Sequence, residues 1–139
     1  MQVFATSPRE GGFNAGDGYV VYAGRTAEHE DIGKLFALRH DQTQWRIRVP
    51  FRPMAMVLAG DQLVLAGPPD CSDPGQALTA IEGQRSGILW IINAVNGRKS
   101  AEYRLETSPR YDGLVVAEKS CYISTIDGRL MCLGNTARE

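Results

Sequence analysis

One segment of this chain occurs three times, and the recurrence constrains the fold more than any single motif does. It reads Ala15-Gly16-Asp17-Gly18-Tyr19-Val20-Val21-Tyr22-Ala23-Gly24, then Ala59-Gly60-Asp61-Gln62-Leu63-Val64-Leu65-Ala66-Gly67, then Ala117-Glu118-Lys119-Ser120-Cys121-Tyr122-Ile123-Ser124-Thr125. Each copy is a polar turn followed by a short β-rich run. A second segment follows each copy, at residues 33–38, 87–92 and 128–133. A third recurs at residues 3–9 and 103–110, with a looser counterpart at 45–50. The runs are four to eight residues long, rich in Val, Ile, Leu, Tyr and Trp, and bounded by Gly, Asp and Pro, which reads as strands. No stretch of twelve residues holds a clean helical period, and residues 76–85 offer at most one helical turn.

Three turns organise these strands. Gly60-Asp61 suits a two-residue hairpin with positive φ, Asp127-Gly128 is the stronger hairpin signal, and Val95-Asn96-Gly97 repeats it. A two-residue turn at Asp127-Gly128 pairs Ile123 with Cys132 and Tyr122 with Leu133. One face of that hairpin then carries Cys121, Ile123, Leu130 and Cys132, and the other Tyr122, Ile126, Met131 and Leu133. Both faces are apolar, so both are expected to be covered. Four antiparallel strands in some forty residues is the size of a propeller blade, which is packed on both faces by its neighbours. The expected fold is all-β, with antiparallel four-stranded blades, about three in number. Blades fall roughly at 7–49, 50–108 and 109–139, with strand 2–6 closing the last one.

The repeat resembles the pyrroloquinoline-quinone-like repeat, the β-propeller repeat of quinoprotein dehydrogenases and of the bacterial outer-membrane assembly lipoprotein. Gly33-Lys34-Leu35-Phe36-Ala37-Leu38 with Trp45 is similar to one copy. Residues 87–99 with Tyr103 are similar to a second, and residues 122–133 to the junction of strand, Asp-Gly and strand. The resemblance implies a quinoprotein-like propeller and the periplasm or cell envelope of a bacterium. The family's cofactor site does not carry over. It needs adjacent cysteines, a stacking Trp, and Glu, Asn and Asp around calcium, and this chain has no adjacent cysteines. No cofactor is therefore expected.

The candidate residues have plain structural readings. Trp45, Trp90, Tyr19, Tyr22, Tyr103 and Tyr122 suit packing between strands or blades. Cys71, Cys121 and Cys132 form no Cys-x-x-Cys pair and support no zinc site. Cys121 and Cys132 fall diagonally on one hairpin face, about 7–8 Å apart. A disulfide requires about 3.5–4.5 Å between Cβ atoms, so both are expected to be free and buried. His29 and His40 suit exposed loop positions, and the acids Asp17, Asp61, Asp112 and Asp127 suit turns. No catalytic residue, cofactor-binding residue or metal ligand is assigned.

Residues 68–86 are the one irregularity. The step from Asp17 to Asp61 is 44 residues, and from Asp61 to Lys119 it is 58. So long a loop is either a binding loop or an insertion. If it binds, Asp70, Asp73, Glu82 and Arg85 are its polar groups.

Composition excludes several partners. Fifteen Lys and Arg against sixteen Asp and Glu leave a net charge of −1, with no basic patch for nucleic acid. No run of eighteen apolar residues provides a transmembrane helix. Residues 1–8 lack the basic start and apolar core of a signal peptide.

The leading functional expectation is a non-catalytic repeat scaffold for protein or ligand binding, within a larger envelope protein. The alternative is a fragment of a quinoprotein-type dehydrogenase whose cofactor site lies elsewhere. Propellers close with about 4–8 blades. Three blades therefore imply the tail of a longer chain, or a homodimer in which two chains make a six-bladed ring. A partner protein, or the remaining blades, is expected in either case.

Overall fold

The computed structural model describes residues 2–8, 18–25, 43–71, 73–81 and 86–134. They form three antiparallel sheets in chain order. The first holds β1 (Gln2–Pro8), β2 (Tyr19–Arg25) and β3 (Thr43–Val49). The middle sheet holds β4 (Ala55–Ala59), β5 (Gln62–Gly67), β6 (Gly87–Asn93) and β7 (Lys99–Leu105). The last holds β8 (Pro109–Ala117), β9 (Ser120–Thr125) and β10 (Leu130–Gly134). Each sheet is a meander of neighbouring strands, and no sheet closes on itself. The all-β, antiparallel expectation holds. No helix of the described residues is long and apolar enough to cross a membrane.

The two central strands of the middle sheet, β5 and β6, are buried on both faces. Successive side chains of a strand point to opposite faces. Leu63 and Leu65 of β5 join Trp90 and Ile92 of β6 in one core with Val21, Ala23, Trp45 and Val49 of the first sheet. The alternate residues Val64, Ala66 and Leu89 join a second core with Leu114 and Ile123 of the last sheet. That is why β5 reads Leu-Val-Leu-Ala without a polar interruption. The Trp45 indole N–H donates to the Ala94 carbonyl at 2.8 Å and ties the first sheet to the β6–β7 turn. That turn needs Gly97 (φ 73°), where a Cβ would stand 2.7 Å from the Trp45 ring.

The last two sheets converge on their first strands. β4 lies against β8, and the Asp112 N–H donates to the Met54 carbonyl between them at 3.0 Å. Asp112 takes a positive φ of 51° within an irregularity of β8. Thr6 of β1, Met56 of β4 and Tyr111 of β8 line one cavity of about 250 Å³, so the first strands of all three sheets gather on one side.

Four sequence expectations are corrected. Strand 2–6 does not complete the last sheet: β1 pairs along its whole length with β2, from Gln2↔Arg25 to Pro8↔Tyr19. It therefore opens the first meander instead of ending one. Second, β2 pairs directly with β3, so no strand lies between them; the repeat segment at 33–38 is outside the described residues. Third, the β9–β10 register is one residue away from the expected one, with Met131 opposite Ile123 and Cys132 opposite Tyr122. The loop has three residues. Thr125 N–H donates to the Arg129 carbonyl at 2.9 Å, and Gly128 (φ 85°) takes the left-handed position. The Asp127 carboxylate fixes this loop, accepting from the Thr125 hydroxyl at 2.5 Å. That bond holds its pKa below the usual Asp range. A one-residue slip exchanges the two faces of one strand against the other. Ile123 and Met131 go inside, while Tyr122, Leu130 and Cys132 stay exposed.

The fourth correction is a helix, α1 (Pro74–Ile81), in the long connection between β5 and β6. Asp73 caps it, its Oδ1 accepting from the Gly75 N–H at 3.1 Å, and Pro74 takes the first helical position. The Gly60-Asp61 hairpin, in contrast, forms as read: Ala59 pairs with Gln62 and Gly60 has φ 62°.

Burial on both faces gives a contrast to measure. Leu65→Ala removes a side chain with no exposure and is expected to cost about 2–5 kcal/mol. Leu58→Ala, at a residue 50% exposed, is expected to change stability by less than about 0.5 kcal/mol. Urea unfolding of both variants checks this.

Candidate functional site

Asp70 and Asp73 each accept from a backbone N–H. Asp70 follows β5, and its Oδ2 accepts from the Gly18 N–H at 2.8 Å, joining the long connection to the start of β2. Asp73 is the α1 cap. Glu82 and Arg85 lie outside the described residues, as do His29 and His40. Among the described residues no group of three His, Cys, Asp or Glu side chains is placed to hold a metal ion.

Where β4 and β8 touch, the middle and last sheets meet; away from that line they enclose a cleft of about 610 Å³. Its middle-sheet wall is Val64, Leu89, Ile91 and Tyr103, and its opposite wall includes Val116, Cys121 and Leu133. Lys119 and Ser120 stand at its β8–β9 end. Glu118 and Lys119 form that turn with positive φ at both residues (48° and 64°), a geometry that usually recruits Asn or Gly.

The last sheet also has an outward face. Val115 lies opposite Tyr122, and Tyr122 opposite Cys132. Ser124 faces Leu130 in the next row, and Ala117, Ser120 and Gly134 make the row on the other side. No residue of these rows is charged. Val115 is 58% exposed and Leu130 73%. An alternating sheet with one solvated face ordinarily carries polar residues there. This face does not.

The remaining candidates divide. Trp45 and Trp90 are buried packing residues, as read. Phe51 meets the Trp90 ring edge-on at 5.8 Å, and the Lys99 ammonium lies 4.3 Å from its centroid. Lys99 also pairs with Glu102 at 2.8 Å and holds that carboxyl below its usual range. Tyr19 packs on the first core. Tyr103 and Tyr122 are exposed instead of packed: Tyr103 lines the open cleft between the middle and last sheets, and Tyr122 lies on the outward face of the last sheet.

Cys121 and Cys132 form no disulfide, as expected, but neither is fully buried. Cys121 is half-buried on the inner face and Cys132 exposed on the outer one, since the observed register places them on opposite faces. Burial raises the Cys121 thiol above its ordinary pKa, and Cys132 nearby adds to the effect.

No family model matches the chain, and neither a curated protein nor a solved structure matches it.

Exposure and thiolate character decide thiol reactivity. At mildly alkaline pH, iodoacetamide is therefore expected to modify Cys132 well before Cys121. Peptide mass mapping over a time course checks the order, and equal rates would contradict the register described above.

Proposed function

We propose that this chain is a non-catalytic repeat scaffold whose sheets are blades of a quinoprotein-like β-propeller. It binds protein through the outward face of its last sheet. The observation that carries the reading is the uncharged, exposed face built on Val115, Tyr122, Leu130 and Cys132. Contiguous exposed apolar surface of this kind marks interaction sites. Three meanders stacked in chain order, with first strands gathered on one side, are the arrangement expected of blades. The envelope location belongs to the same reading, through the repeat's resemblance.

Cys132, exposed in the outward rows and also bordering the cleft, is a built-in reporter of cover at this end of the last sheet. In intact cells it is expected to react with a permeant maleimide several-fold more slowly than in the urea-unfolded chain. Reaction at the unfolded rate in cells would overturn the reading.

A further inference from the structure

We propose that the outer edge of β10 takes up an extended segment of another protein as the fourth strand of the last sheet. The proposal concerns the edge of that sheet and stands apart from its outward face.

The middle sheet shows such a seat filled. It has four strands, and β7 pairs along the outer side of β6. The last sheet stops at three, with β10 outermost among the described residues. Residues opposite one another in an antiparallel pair alternate between bonded and non-bonded. The Thr125 N–H bonds the Arg129 carbonyl, so the next bonded pairs are Met131 with Ile123 and Leu133 with Cys121. The backbone N–H and C=O groups of Leu130, Cys132 and Gly134 therefore point away from β9. All three residues are exposed, and no strand among the described residues pairs with that side of β10.

Edge strands ordinarily carry charge or proline against such pairing. The edges β1, β4 and β8 gather on one side of the stack. On the other side, β3 carries Arg46 and Arg48, and β7 carries Lys99, Glu102 and Arg104. β10 reads Leu-Met-Cys-Leu-Gly, with neither charge nor proline. This unguarded edge also borders the cleft of about 610 Å³. Tyr103 of β7 lines the cleft and stays 45% exposed. The middle sheet runs one strand further than the last, so a strand added to β10 lies over β7 and covers Tyr103.

The chemistry of the segment follows. Alternate side chains enter the cleft beside Ile91 and Tyr103, and the others continue the uncharged rows of Leu130 and Cys132. Both its faces are therefore uncharged, which suits β-branched and aromatic residues. Main-chain bonds supply the affinity and alternate side chains the selectivity. A second copy fits the edge poorly. Pairing antiparallel through its own β10 brings its four-stranded middle sheet to the same side, where the two β7 strands compete for one space.

Amide exchange read residue by residue tests the proposal. The probe is a blocked peptide of alternating Val and Thr with a Lys at each end, added at millimolar concentration to the full chain. Exchange at Leu130, Cys132 and Gly134 is expected to slow several-fold, while Met131 and Leu133, already bonded to β9, change little. The fully N-methylated peptide, which lacks main-chain donors, is expected to have no effect. Cys132→Pro removes an N–H that bonds no neighbouring strand, and is expected to abolish the protection with unchanged far-ultraviolet circular dichroism. If that variant fails to fold, the N-methylated peptide makes the same comparison. Unchanged exchange at the three amides would overturn the proposal, as would equal protection by the N-methylated peptide. So would protection before any peptide is added: at constant strength it means that the chain covers its own edge, and rising with protein concentration it means self-pairing. Peptide-induced protection confined to Val115 and Tyr122 would overturn it and leave the face-binding reading standing.

Discussion

The central strands β5 and β6 of the middle sheet have no polar face, and the rest of the structure follows from that. Leu63 and Leu65 need cover on one side, Val64 and Ala66 on the other. A single two-layer sandwich satisfies only one face of each sheet. Two flanking sheets are required, and the chain supplies them from either side in sequence. Trp45 and Phe51 fill the first contact, while Leu114 and Ile123 fill the second. The flanking sheets are thereby fixed in place by a shared neighbour.

How the sheets meet decides where space is left. Close approach of β4 and β8 is locked by a backbone hydrogen bond from Asp112 to Met54. Beyond that line the middle and last sheets part, and the cleft bounded by Leu89, Ile91, Cys121 and Leu133 is the opening. The tight turns set the direction. Gly60-Asp61, with positive φ at Gly60, and Glu118-Lys119, with positive φ at both residues, reverse the chain in two residues, which keeps the twist of each hairpin right-handed. The long connection after β5 has its own anchors, the Asp73 cap and the Asp70 bond to Gly18.

Much of this architecture was legible in the sequence. The three β-rich copies, the Gly60-Asp61 hairpin and the packing roles of Trp45 and Trp90 follow from residue type and turn chemistry. The helix was readable too, since Asp73-Pro74 is a cap followed by a first-turn proline. Its eight residues lack the long apolar period that marks a helix most clearly. The β9–β10 register was not recoverable from Asp127-Gly128 alone. A three-residue loop and a two-residue turn share that dipeptide, and only the Thr125 bonds to Asp127 and Arg129 separate them. That one residue decides which side of the last hairpin is exposed. The sequence carried apolar residues on both faces; the structure places Tyr122, Leu130 and Cys132 on the uncovered one. The loop acids were legible as polar groups but not as caps and tethers, which depend on where neighbouring backbone N–H groups lie.

Native-state hydrogen exchange tests the central claim most directly, because it reads the free energy of opening strand by strand. If the doubly covered middle sheet organises the molecule, the amides of β5 and β6 exchange slowest and only on global unfolding. Those of β1, β3 and β10, at the edges of the flanking sheets, exchange earlier. Slowest exchange in β1–β2 or in β9–β10, with β5 and β6 opening first, would contradict the account.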